Sequence, residues 1–448
     1  MEDNTTGASN SAVGRRTLES NTTGNNNNCL GSGAMESNTT GSCNIAIGNA
    51  ALDTQTAANN NIAIGHYALT ANTTGVQNVG IGASALVSNT TANSNTAVGY
   101  KALLANTGAN NTAVGDQALE ANTSTDNNVA VGVKSLNQNT TGANNTAVGT
   151  YAGYSITTGN NLTAVGYQAA YANEGGENTA IGSEALEANT TGASNTALGF
   201  RALEDNTTGG SNTAVGRDAL EANTTASYNT AVGTQALDNN TTGDGNTAVG
   251  YIALQDVTTG AYNIAIGYYA GKDITTAEKN VAIGDNALRT ATTSGYNIAV
   301  GSNALYANTG GHANVAVGHK AMESNTTGED NVGIGASALY TNTTSSYNTA
   351  VGNRALLVNT AELNTAVGSL CMQANTTGTQ NTAVGQAAMY ANTTASYCTA
   401  VGRYALRLNT TGGSNTAVGN QALDANTTGA SNTAVGVNAL GANTTASH

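Results

Sequence analysis

A unit of 17 residues, Asn-Thr-Ala-Val-Gly-x-x-Ala-Leu-x-Ala-Asn-Thr-Thr-Gly-x-x, recurs from one end of this chain to the other. The Gly that closes Ala-Val-Gly marks 26 copies, from Gly14 and Gly31 to Gly419 and Gly436. The links before Gly115, Gly182 and Gly368 have 16 residues, and all the others have 17. A copy this short cannot bury a core alone, so neighbouring copies must stack. The expectation is therefore one continuous repeat array over residues 1–448, with no separate globular domain.

Positions are numbered here from the first Asn of the unit. Position 4 is Val, Ile or Leu in every copy, and position 2 is mostly Thr, Ile or Val. Two β-branched places separated by one residue share a face of a strand. Position 9 is Leu in most copies, and all five methionines (Met1, Met35, Met322, Met372 and Met389) fall there, as in a slot that accepts any long apolar side chain. Positions 4 and 9 are thus predicted to form two core ladders, as in Val98 and Leu103, Val232 and Leu237, and Val435 and Leu440. Positions 3 and 5 are Ala and Gly, an almost bare opposite face on which another sheet could lie close. Ala97, Gly99, Ala231 and Gly233 are the expected self-association face. A helix would need apolar residues at three- and four-residue spacing and would have to tolerate two Gly per unit. The fold class this implies is all-β, a parallel β-solenoid or β-roll of about 26 coils.

Two variant units locate position 12. Gly153 replaces the core Leu where Ile156 replaces the Asn, and the exchange recurs as Gly271 with Ile274. Apolar volume lost at one place returns at the other, so position 12 looks inward. The Asn usual there is expected to bond to backbone and to its counterparts in adjacent coils. Asn-Thr-Thr is also an N-glycosylation acceptor pattern, so Asn72, Asn206 and Asn426 are alternative glycan sites. Positions 6, 7, 10, 16 and 17 hold nearly all the charge and Tyr, including Lys101, Asp116, Arg217, Tyr228 and Tyr306, and should form the solvent surface.

A net charge of −14 repels nucleic acid and anionic membrane surfaces, and no run approaches the length of a membrane helix. His66, His312, His319 and His448 are scattered, and Cys29, Cys43, Cys371 and Cys398 sit at unlike places in the unit, so neither a metal shell nor a disulfide ladder is expected. Glu120, Glu187, Glu204 and Glu221 recur at position 10 as a solvated acidic face, with nothing in the sequence to raise their pKa values. No catalysis and no cofactor are expected. Ice binding, a minor alternative, would need outward Thr-x-Thr strands, whereas the adjacent Thr pair at positions 13 and 14 must point in opposite directions.

The unit Asn-Thr-Ala-Val-Gly-x-x-Ala-Leu, as at Asn95 to Leu103 and Asn432 to Leu440, resembles repeats of phage tail-fibre-like proteins and head repeats of trimeric autotransporter adhesins. The resemblance implies a β-roll or β-solenoid, commonly a homotrimer, acting as a fibre shaft or adhesive head outside the cell or on a virion. The function expected is a structural fibre or filament protein that associates with itself. The alternative is a receptor-binding shaft that recognises host glycans through Tyr268, Tyr269 and Tyr404. Met1 occupies a Leu slot and the last unit keeps its pattern to His448, so open ends that stack head to tail are a further expectation.

Overall fold

The computed structural model describes residues 1–447. The chain is all-β: 26 parallel three-residue strands recur about every 17 residues as a β-solenoid, and no helix occurs among the described residues. Its contacts divide it into two compact units, Met1–Thr225 and Ala226–His448. The first carries strands β1 (Ser11–Val13) to β13 (Thr213–Val215), and the second β14 (Thr230–Val232) to β26 (Thr433–Val435). Within each unit like positions pair with like, as Thr96 with Thr112 and Ala231 with Ala248. The 16-residue links lose position 14, in a turn, and so leave the strand register intact.

The strand faces are the reverse of those read from the sequence. Position 3 points inward: Ala97 and Ala231 are fully buried, while Val98 and Val232 are only half-buried and Val435 is exposed. The reason is the width of the coil. A Cβ added at Gly80, which occupies position 3, would lie 3.3 Å from the Leu69 side chain of the preceding coil. The interior is thus one Leu wide on one Ala, and no space remains for a β-branched side chain between them. Leu103 and Leu237 are buried as expected, whereas Leu440 in the last coil is about half exposed. The face expected to associate at Ala97, Gly99, Ala231 and Gly233 is therefore not an outer surface of the strands, since Ala97 and Ala231 are buried and the outward side carries positions 2 and 4.

Positions 5 to 12 form a succession of tight turns. In one coil Ala102 N–H donates to Gly99 O at 3.4 Å and Asn106 N–H to Leu103 O at 3.3 Å. Positions 7, 9 and 17 adopt left-handed backbone, with Leu103 at φ 52° and Leu237 at φ 53°. That conformation costs a Leu roughly 1–2 kcal/mol, and it aims the side chain into the core. Coil-to-coil bonds such as Leu103 N–H to Ala118 O at 3.0 Å help to offset it.

Two amide ladders replace the second apolar ladder predicted. At position 12, Asn206 Nδ2 donates to Asn189 Oδ1 at 2.7 Å and to Gly209 O at 3.0 Å. At position 1, Asn195 N–H donates to Asn178 Oδ1 at 2.8 Å, and Asn195 Nδ2 reaches the same Gly209 O at 2.9 Å. Both Asn columns are buried, which satisfies the turn carbonyls that a coil this narrow cannot expose to water. Ile156 and Ile274 are buried as the volume exchange requires; a Cβ at Gly271 would lie 3.1 Å from Ile274 Cδ1.

Candidate functional site

The side chains left facing outward from the strands are mostly Thr, Val and Ile. In the first unit Val114, Val148, Val165, Ile181 and Leu198 form a position-4 column, each 36 to 43% exposed. The second unit repeats it with Ile266, Ile334, Val384, Val401 and Val418 among the exposed apolar residues, and Ile264 and Ile298 at position 2 add to it. Beside the column runs position 2, which is Thr in six successive strands from Thr349 to Thr433. The outward pattern is Thr-x-Val, not Thr-x-Thr. The Thr at position 13 directs its hydroxyl to backbone, as Thr73 Oγ1 does to Thr90 O at 3.0 Å.

The sequence-predicted sites separate into those the structure removes and those it places on the surface. Asn72, Asn206 and Asn426 are fully buried with their amides bonded, so none presents a glycan acceptor in the folded chain. Tyr268 and Tyr269 meet at 4.1 Å between ring centroids, Tyr251 stacks on Tyr268 at 5.5 Å, and Arg289 lies over Tyr269 at 4.9 Å. Tyr404 sits eight coils further along, between Arg403 and Arg407. The three Tyr thus do not make one site. His312 Nδ1 accepts from Gly295 N–H at 3.1 Å, and His448 lies outside the described residues.

Among the described residues no group of three His, Cys, Asp or Glu is placed to hold a metal ion, and all four cysteines are free. Burial pushes the Cys29 and Cys371 thiols up to about 12, which keeps them protonated. No helix of the described residues is long and apolar enough to cross a membrane.

Two carboxylates of the acidic column, Glu187 and Glu204, depart from the expectation of unshifted groups. Burial, followed by the charge of Glu221, raises Glu204 to about 7, and burial with Glu184 and Asp205 raises Glu187. Arg201 ties the group together, 2.9 Å from Asp218 and 2.9 Å from Glu221. Because the folded pKa of Glu204 exceeds its unfolded value, folded protein binds more protons between about pH 4.5 and 7, and stability falls as pH rises through that window. Solvent screening at this part-exposed site limits the loss to about 1 kcal/mol. Unfolding of wild type and Glu204→Gln at pH 5 and pH 8 should show the variant gaining on wild type at the higher pH; a gap independent of pH would contradict the assignment.

No protein-family model matches the chain, and no curated protein matches its sequence.

Proposed function

We propose that this chain is a structural fibre protein whose subunits associate laterally through the outward Thr-x-Val face. One observation supports the reading above others: in each unit the parallel sheet keeps a column of part-exposed Val, Ile and Leu. Parallel sheets normally have both faces covered, and extended apolar patches on a soluble surface mark sites of association. A second copy fits because the column has the same spacing on every subunit, so like residues meet like along its length. The setting we assign is outside the cell or on a virion surface, in keeping with the resemblance to fibre repeats.

Replacing Val148, Val165, Ile181 and Leu198 together by Lys tests this reading. These side chains point away from the coil interior, so circular dichroism should be unchanged while sedimentation shifts from an oligomer to a single chain. Wild-type protein that sediments as a single chain at every concentration would overturn the proposal.

A further inference from the structure

We propose that the second unit carries a binding cleft for a carboxylate-bearing sugar, formed by Lys320, Ser337, Tyr340, Arg354, Leu357 and Val358. The cleft has a volume of about 410 Å³ and lies on positions 7, 10 and 11, none of them on the strand face. It therefore stays open when that face is covered, and it goes beyond the structural role.

The local sequence creates the depression. Position 7 reads Lys320, Ser337 and Arg354 in three successive coils, so a short side chain lies between two long cationic ones. At about 4.8 Å per coil the two cations are rooted roughly 10 Å apart, wide enough to flank one pyranose ring. Tyr340 forms a wall, with Lys320 Nζ 5.9 Å from its ring centroid. Leu357 and Val358 add apolar lining where most coils carry a polar residue and Ala, and Thr341 completes the wall.

Charge selects the ligand. The chain has 27 acidic against 13 basic residues, yet no carboxylate lines this cleft, and Arg354 has no ion-pair partner among the described residues. Lys320 has one, Glu323 at 3.4 Å, in a part-exposed pair of the kind that is worth little and yields readily to a competitor. An exposed guanidinium beside an apolar wall suits a planar carboxylate held by two parallel hydrogen bonds. The Tyr340 ring and the Leu357 and Val358 side chains suit the C–H face of a sugar, and the volume falls within the range of small-ligand sites. A uronate residue of an acidic polysaccharide combines these features in one ring.

The test is titration calorimetry of the full chain with tetragalacturonate and with the same oligosaccharide after reduction of its carboxyls to alcohols. Wild type should bind the acidic form at least tenfold more tightly. Arg354→Gln should abolish that preference, Arg354→Lys should keep part of it because an ammonium cannot form the paired bonds, and Tyr340→Ala should weaken both ligands. Arg403→Gln, a cation removed from another part of the same unit, should leave the titration unchanged. Equal affinity for the two oligosaccharides, an equal loss in Arg403→Gln, or displacement by acetate at the same concentration as by galacturonate would overturn the proposal.

Discussion

Substituting Gly318 by Ala should cost roughly 3–5 kcal/mol, while the same change at Gly328, ten residues along the same coil, should cost less than about 1 kcal/mol. Gly318 occupies position 5 with φ +132°, a backbone conformation essentially closed to L side chains, and a Cβ there would lie 2.7 Å from both the carbonyl carbon and oxygen of Gly335 in the next coil. Neither the strain nor the clash can relax without separating the coils, since the contact is backbone against backbone. Gly328, at position 15, also faces a neighbouring carbonyl, that of Ser345, but its φ is not left-handed. Ala58, Ala92, Ala226, Ala277 and Ala395 occupy the equivalent place in other coils, so the stack accommodates a methyl there. Urea denaturation of the two variants measures the difference, and hydrogen exchange should place the damage in the coils next to Gly318, because such arrays are stabilised by nearest-neighbour contacts. Equal midpoints for the two variants would show that the backbone at position 5 carries no special demand.

The same contrast shows what the sequence makes legible. Periodicity alone yields coil number, strand position and parallel register, because stacking leaves little freedom once each copy is too short to fold by itself. The invariance of Gly at position 5 is equally plain in the sequence, where it reads as a bare face, but its cause is a positive-φ backbone packed against the next coil. The assignment of faces failed for a related reason. Burying the larger apolar side chain is sound for a sheet that packs on another layer, yet here the opposing wall is a single Leu, and only Ala fits beneath it. A signal was present: position 3 is almost always Ala, whereas position 2 accepts Thr, Ile, Val, Ser11 and Asn28, a range that only an outward place tolerates. Leu at positive φ left no trace in composition, since position 9 behaves like any core slot. The cleft at Tyr340 and Arg354 was equally hidden, because it depends on which variable residues fall on adjacent coils and not on the unit itself.

Asn325→Ala should destabilise the protein by about 3 kcal/mol, a loss comparable to that of a large core side chain. Asn325 Nδ2 donates to Asn308 Oδ1 at 3.0 Å and to Gly328 O at 3.0 Å, and its Oδ1 accepts from Asn342 Nδ2 at 3.0 Å. The residue is fully buried, so water cannot replace these partners, and the groups left behind carry the desolvation cost. The chain also contains the control. Where Ile156 interrupts the ladder, Asn139 Oδ1 in the preceding coil is left without a partner, and the coil compensates with Gly153 in the Leu slot. Asn325→Ile alone should therefore fare no better than Asn325→Ala, because Met322 already fills the space; Met322→Gly with Asn325→Ile should recover much of the loss. Thermal or urea unfolding of wild type, Met322→Gly, Asn325→Ile and the double variant closes a double-mutant cycle, and coupling energy between the two positions is expected to exceed about 1 kcal/mol. Additive effects would mean that the Asn column and the Leu column do not share one fixed interior volume, and a loss below about 1 kcal/mol for Asn325→Ala would mean that the amide ladder does not hold the coils together.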